Sequence, residues 1–403
     1  MTQQNDIQAG SARPVRVLIL TATIGAGHNS ATAAIIEGLK HSPVPMQIER
    51  LDLMTVVPRW FRAYYASGYE IVMIHLPRLY GVGYALTNHP SGSRRGVMES
   101  MRMSVERLAM RKLARRLCQD TPDLIVNTHF LAAPMIGRMI EAGRLRTRQV
   151  TVITDVEVHR MWYASSVEHW FVASEYSGES IQKWGIAPAD VTVTGIPIHP
   201  KWNLPLDKGR ILAEWGLPAD KPVVVLTGGT EFTIGPIVDI AREILQACPQ
   251  AFLVVLAGRD KNLLGELSKL AAVESRLKPV AFTDRSHELL EAACVMLTKP
   301  GGITTTECLA KGLPMILMNP VPGHEGGNAE FYQRQGAAVI ARGQQQIVST
   351  LKSLLDDPQR LAGMSSKARA LSHPSTPLVA EGIVARCKQI YQQAIRGPDF
   401  PDP

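Results

Sequence analysis

Two doubly wound α/β domains facing a shared cleft are what the amino-acid sequence predicts, and three observations carry that prediction. Short apolar runs recur along the chain, several of them closed by glycine-containing loops. Between them lie stretches whose apolar residues repeat at helical spacing, and such alternation signals a parallel sheet wrapped by helices. The cycle then restarts after Gly195-Ile196-Pro197-Ile198-His199-Pro200. A length of 403 residues exceeds what one core commonly holds, so two domains are expected on size as well.

Residues 1–13 are polar and form a tail. A first domain is expected over 14–198. Its opening run, Val15–Thr21 (VRVLILT), reads as a buried strand followed by a glycine loop and a helix over 30–39. Further strands are expected at 124–127, 149–154, 169–173 and 191–194. A second domain is expected over 199–370, with strands at 222–227, 252–257, 280–282, 295–298 and 315–318. From Ile347 the chain reads as helical, interrupted at Pro374 and Pro377, and residues 371–403 are expected to return toward the first domain as a helix and tail. In such folds ligands bind outside the carboxyl ends of the strands, so chemistry belongs on the post-strand loops.

Composition narrows the class. Charged residues make up 20% of the chain and the apolar share is 45%, values of a globular protein rather than a disordered one. No stretch approaches the roughly 20 apolar residues that span a bilayer, and the amino terminus lacks a signal-peptide core, which predicts a cytoplasmic protein. The five cysteines are scattered without CxxC spacing, so neither a disulfide framework nor a zinc site is expected. The formal charge of +7 is uneven. Between Arg94 and Arg116 eight basic residues stand against Glu99 and Glu106.

The sharpest chemical signal is Lys299-Pro300-Gly301-Gly302-Ile303-Thr304-Thr305-Thr306-Glu307, directly after an apolar strand and leading into a helix. Paired glycines let a backbone approach phosphate, and the helix N-terminus offers free amides and a positive dipole to a diphosphate. Glu307, one turn in, suits a ribose diol. A second segment, Asn319-Pro320-Val321-Pro322-Gly323-His324-Glu325-Gly326-Gly327-Asn328, is expected to be a loop, too rich in Gly and Pro for helix or strand. Its Glu325 and Asn328 are candidates to close over the nucleotide or sugar. In the first domain Ile24-Gly25-Ala26-Gly27-His28 sets an imidazole at the cleft, where a histidine with an ordinary pKa near 6.5 suits a general base. Asp155, after the strand ending at Thr154, is a candidate to orient that imidazole or to be the base itself. With no DxD motif or carboxylate pair near the donor turn, neither a metal nor another cofactor is expected. Gly25-Ala26-Gly27-His28 also lacks the full GxGxxG pattern, which disfavours a dinucleotide oxidoreductase.

Taken together, residues 299–339 resemble the donor-site region of bacterial processive diacylglycerol glucosyltransferases and plant monogalactosyldiacylglycerol synthases. Those enzymes are inverting, metal-independent UDP-sugar transferases of the GT-B fold, related to the peptidoglycan N-acetylglucosaminyltransferase. The resemblance extends to Gly25-Ala26-Gly27-His28, to Thr154-Asp155 and to Gly195-Ile196-Pro197-Ile198, in that order. It implies a hexose donor, UDP-glucose or UDP-galactose, and a diacylglycerol or glycosyl-diacylglycerol acceptor. It further implies that Gly301, Gly302 and Thr304 bind the diphosphate, Glu307 the ribose, and Glu325 with Asn328 the hexose. His324, in the same donor loop, stands where relatives carry Gln. Gly228-Gly229 forms a similar glycine loop, and Arg259 and Arg285 are further candidates for the uracil or phosphate. The regulator that would bind lipid or nucleotide without catalysis, and a transferase for another lipid-linked acceptor, are the alternatives.

Residues 56–84 are crowded with Trp60, Phe61, Tyr64, Tyr65, Tyr69, Tyr80 and Tyr84 among prolines and arginines, a composition suited to a bilayer interface. Arg107, Arg111 and Arg115 then repeat at four-residue spacing beside Met98, Met101, Val105 and Leu108, which predicts one amphipathic helix on anionic lipid. Gly25, Gly27, Trp60, Phe61, Trp162 and the three arginines are therefore the acceptor and membrane candidates of a peripheral protein at the cytoplasmic face. No nucleic-acid-reading motif accompanies the basic run, so a nucleic-acid partner is not expected.

Overall fold

The computed structural model describes residues 13–25, 27–65, 76–88, 97–228 and 236–396, and among these the chain forms two six-stranded parallel sheets. The first contains β1 (Val15–Thr21), β2 (Met46–Asp52), β3 (Leu124–Asn127), β4 (Arg148–Val152), β5 (His169–Val172) and β6 (Val191–Val193), in the order β2-β1-β3-β4-β5-β6. Helix α1 (Gly27–Leu39) follows β1 directly. Helices α2 (Pro77–Thr87), α3 (Val97–Ala109) and α4 (Arg111–Gln119) fill the crossover from β2 to β3, and α5 (Ala133–Glu141) joins β3 to β4. Strands β1, β3 and β4 are buried along nearly their whole length, which is why they read as continuous apolar runs rather than alternating ones.

The second sheet runs β12-β11-β10-β7-β8-β9, built from β7 (Val223–Thr227), β8 (Phe252–Gly258), β9 (Leu277–Ala281), β10 (Val295–Thr298), β11 (Met315–Met318) and β12 (Ala338–Ala341). The order reverses between β7 and β10, and a crevice opens at such a switch point beyond the strand ends. Helix α6 (Gly302–Lys311) leaves β10 there, and α7 (His324–Arg334) leaves β11 beside it. The last helix, α8 (Ser375–Arg396), crosses back to the first domain. Its Val379, Ala380, Ile383 and Cys387 are buried with Ile35, Val150, Val152 and Phe171.

Several expectations need correction. The strand Met46–Asp52 was not anticipated, because as an edge strand pairing only β1 it alternates exposure and carries Gln47, Glu49 and Arg50. β12, another edge strand, was not anticipated either, its sequence Ala-Val-Ile-Ala carrying two alanines in place of larger β-branched or long apolar residues. Segment 319–328 is not all loop: α7 begins at His324 and runs through Gly326, Gly327 and Asn328. Backbone bonds from Gly326 to the Val321 carbonyl and from Gly327 to the Gly323 carbonyl outweigh the poor helical preference of glycine. The basic stretch is likewise two helices, with a kink at Met110 (φ −92°, ψ 14°) between α3 and α4. Pro377 does not interrupt α8, since it lies in the first turn, where a missing N–H removes nothing.

The placement of α8 generates a prediction. Ile383→Ala removes a fully buried side chain from the core under the first sheet, so it should lower unfolding free energy by about 2–5 kcal/mol. Urea denaturation of the whole chain measures it. A loss under about 0.5 kcal/mol would mean that α8 is not integral to that core.

Candidate active site at the interdomain cleft

His28 occupies the first turn of α1, just past β1, and is half-buried. Its Nδ1 lies 2.9 Å from the Thr128 carbonyl oxygen. A carbonyl only accepts, so Nδ1 carries the hydrogen, and Thr154 Oγ1 at 3.0 Å accepts from the same N–H. In the neutral ring Nε2 then holds the lone pair. Thr128 is itself pinned, its hydroxyl donating to the Leu20 carbonyl at 3.0 Å and receiving that of Thr32. His129 meets the His28 ring edge-on at 4.6 Å, and Phe130 and Trp162 complete an aromatic wall. Burial pushes the His28 pKa below its ordinary value, while the Asp155 charge and the Thr128 carbonyl draw it back up and the charge of His324 lowers it further. A neutral imidazole with a fixed tautomer is a proton acceptor. The expectation that Asp155 orients this ring fails: the Thr128 carbonyl and Thr154 do so, and Asp155 acts on His28 only through its field.

On the facing domain, Gly301 is the N-cap of α6, with extended backbone and no side-chain cap. The first-turn amides are thus open to an anion, and the space around Gly301 is empty. Gly302 is constrained from the other side: a Cβ there would lie 2.1 Å from the Thr154 carbonyl oxygen, so the two domains touch backbone to backbone. The Thr304 hydroxyl has no partner among the described residues. Glu307, one turn on, is half-buried with neither a hydrogen bond nor an ion pair among the described residues, and burial raises its pKa to about 8 against a small opposing effect of Lys201. Glu325 is buried and paired with Lys299 Nζ at 3.3 Å, which places that pair beside the turn that precedes α6. His324 lies 3.4 Å from the Tyr80 hydroxyl of α2.

Other candidates are engaged by the protein itself. Asn328 is fully buried beside the cluster, its Oδ1 accepting from the Val156 and Glu157 amides and its Nδ2 donating to the Pro300 carbonyl and Asp155. Arg285 pairs with Glu214 and Glu288, at 2.6 and 2.7 Å, which neutralises it as a phosphate ligand. Arg259 lies over the Phe282 ring. Gly228 is buried after β7, and Gly229 lies outside the described residues. Phe61 and Trp162 are buried in the first domain and are not membrane contacts, because burial against the sheet satisfies them; Trp60 remains exposed. Tyr69 and the side chains of Met98 and Met101 lie outside the described residues. Among the described residues no cluster of three or more His, Cys, Asp or Glu side chains is gathered for a metal.

Sequence reading passed over Thr128 and gave Thr154 no role of its own, because their contacts with His28 depend on backbone meeting side chain across the fold. It also passed over Arg138 and Arg144. With Arg107, Arg111 and Arg115 they line a groove of about 860 Å³ between α3–α4 and α5, with no carboxylate in its lining among the described residues.

The family model for monogalactosyldiacylglycerol synthase matches residues 28–198, and that for the glycosyltransferase family 28 C-terminal domain matches residues 223–376. The processive diacylglycerol beta-glucosyltransferase of Bacillus subtilis (strain 168) is 28% identical over 379 residues, 88% of this chain and 91% of that one. The chain is thus similar to these glycosyltransferases along most of its length. Its fold is GT-B. The S. aureus MnaA–UDP co-structure covers 96% of this chain and all of its own, at a TM-score of 0.61 and 15% identity. The Acinetobacter baumannii MurG structure covers 93% and 100%, at 0.57 and 16%. Both likenesses concern the fold alone.

The desolvated Glu307 carboxyl yields a pH prediction. Glu307 has a folded pKa of about 8 against an ordinary 4.5, so the native state binds more protons between those values, and the stability tied to this group is lost as pH rises through that window. Glu307→Gln cannot ionise. Its melting temperature should therefore gain on the parent's between pH 5 and pH 9, while UDP binding weakens. A melting-temperature difference that does not vary with pH would refute the buried, unpaired carboxyl.

Proposed function

We propose that this transferase moves a hexose, glucose or galactose, from UDP to diacylglycerol or a glycosylated diacylglycerol, with inversion to a β-linkage. The observation that carries the reading is a juxtaposition: the turn bearing His28 packs on the first turn of α6, with a Cβ at Gly27 only 3.5 Å from Ile303 Cγ1. A proton acceptor and an anion-binding helix end thus meet in one cleft. The resemblance to diacylglycerol glucosyltransferases supplies the substrates.

In this mechanism the lipid hydroxyl gives its proton to His28 Nε2 as its oxygen attacks the anomeric carbon. The C–O bond to UDP breaks on the opposite face, and a single displacement inverts the centre. Charge developing on the departing diphosphate meets the α6 amides, fixed before reaction and therefore needing little reorganisation. Glu307 holds the ribose by accepting hydrogen bonds from its hydroxyls once ionised. Lys299 is held near the phosphates by Glu325.

The acceptor lies in a bilayer, and the first domain presents a face suited to one. Leu79, Val82 and Leu86 of α2 are exposed on one stripe, and Trp60, Tyr64, Val105 and Leu108 are exposed as well. No helix among the described residues is long and apolar enough to cross a membrane. A peripheral attachment at the cytoplasmic face fits these features.

Two outcomes are expected. Purified protein with diacylglycerol vesicles and labelled UDP-glucose or UDP-galactose should form a β-glycosyl lipid, and His28→Ala should lower kcat by about 10²- to 10⁴-fold with little effect on UDP affinity. No lipid product with either donor would refute the acceptor assignment, and near-parent turnover in the variant would refute the base. Replacing Arg107, Arg111 and Arg115 by Gln should weaken sedimentation with anionic vesicles, at about 1 kcal/mol per arginine, and spare UDP binding. Identical sedimentation at low salt would remove the groove from the membrane face.

A further inference from the structure

His129 is buried on the loop between β3 and α5, and its Nδ1 accepts from the Leu131 amide at 3.1 Å. A backbone N–H only donates, so Nδ1 holds a lone pair and the ring hydrogen of the neutral form sits on Nε2. Burial, and after it the neighbouring His28, pushes the His129 pKa well below its ordinary value, so the ring stays neutral. His28 has the opposite tautomer, with its hydrogen on Nδ1 and its lone pair on Nε2.

Among the described residues no group accepts from the His129 Nε2–H, the one bond of this ring being that to Leu131. Nor is Nε2 sealed off in the way that the unpartnered Tyr84 hydroxyl is, so it opens on space beside the His28 ring, whose centre is 4.6 Å away edge-on. Phe130 stacks on the His129 ring at 4.3 Å, and Tyr65 and Trp162 stand 6.2 and 6.4 Å from it, so the surroundings are largely apolar. A neutral donor held among such walls gains most from a ligand atom that can only accept.

We propose that His129 determines acceptor specificity: its Nε2–H donates to an ester carbonyl of the diacylglycerol whose free hydroxyl meets His28 Nε2. The chemistry matches at both atoms. The hydroxyl has a proton to give and His28 presents a lone pair, whereas an ester carbonyl only accepts and His129 presents an N–H. The nearer ester branches from the glycerol carbon next to the one that bears the hydroxyl, a spacing that suits two rings packed edge to face. Tyr65, Phe130 and Trp162 fit the glycerol carbons and the first methylenes of the acyl chains. The identity of the acceptor rests on the transferase reading, whereas the free donor at Nε2 does not.

Two short-chain lipids test the contact, since dihexanoylglycerol carries the ester carbonyls and dihexylglycerol, an ether, lacks them. With labelled UDP-hexose, kcat/KM of the parent should favour the ester by about tenfold, the effect of one hydrogen bond to a neutral acceptor. His129→Phe should bring the two lipids within about twofold of one another, whereas His129→Gln, which keeps an N–H, should retain part of the preference. Binding without turnover separates the contact from the transferase reading. In protein labelled with nitrogen-15 histidine, the His129 Nε2 resonance, identified by its loss in the variants, should move when dihexanoylglycerol is added without any UDP-sugar and stay in place with dihexylglycerol. A shift with the ester alone supports the contact even if neither donor yields a glycosylated lipid. Equal responses to ester and ether overturn it, as does a parent that turns over both lipids equally or a phenylalanine variant that keeps the full preference. Should the phenylalanine variant not fold, the glutamine variant identifies the resonance and the titration of the parent decides.

Discussion

The contact between the Thr154 carbonyl and the Gly302 backbone is the constraint on which the site depends. Residues 154–157 leave the end of β4 and lie directly against the α6 turn, with no side chain intervening at 302. Everything chemical is arranged around that approach. It places Thr154 Oγ1 on His28, leaves the α6 amides beside the imidazole, and brings Val156 into one continuous apolar core with Phe331, Tyr332 and Cys308 of the second domain. The glycine pair after β10 therefore has two different jobs. Gly301 leaves room for an anion, and Gly302 leaves room for the other domain.

Closure of this kind concentrates unfavourable electrostatics where they are useful. Burial raises the Glu307 pKa and lowers that of His28, so for both groups the charged form is disfavoured in the free protein. Five arginines, Arg107, Arg111, Arg115, Arg138 and Arg144, line one groove in the first domain's surface. By contrast, Lys311 deep in the second domain is fully satisfied, paired with Glu291 at 2.9 Å and donating to the Leu204 carbonyl. Charges that hold the fold have partners within the chain.

How far the sequence could be read follows from the same division. Strands such as Val15–Thr21 and Val295–Thr298 are legible because burial on both faces writes itself as an unbroken apolar run. The donor turn is legible because a helix N-terminus after a strand needs glycine and a small polar residue in sequence order. Met46–Asp52 is not legible, since one edge partner and a solvated face leave its pattern polar. The partners of Asn328 and Arg285 within the chain were hidden for another reason. An amide or a guanidinium in a polar segment looks the same whether its partner is a ligand or a group from a distant part of the chain, and only the fold shows the Val156 and Glu157 amides on one, Glu214 and Glu288 on the other.

The membrane face and the chemistry are joined by α2. The helix that exposes Leu79, Val82 and Leu86 outward turns Tyr80 inward to His324, and Gly81 lies so close to Pro322 that a Cβ there would approach its side chain to 2.7 Å. Its end is held as well, Thr87 and the Tyr84 carbonyl meeting His159 Nε2 and Asn88 accepting from the Arg160 amide. One helix thus spans from the exposed apolar stripe to the donor loop on one side and to the loop beyond Asp155 on the other. Packed elements of this kind shift as rigid bodies and do not deform smoothly. A shift of α2 would therefore be felt both at the His324 loop and at the loop beyond Asp155, because its contacts reach the two together.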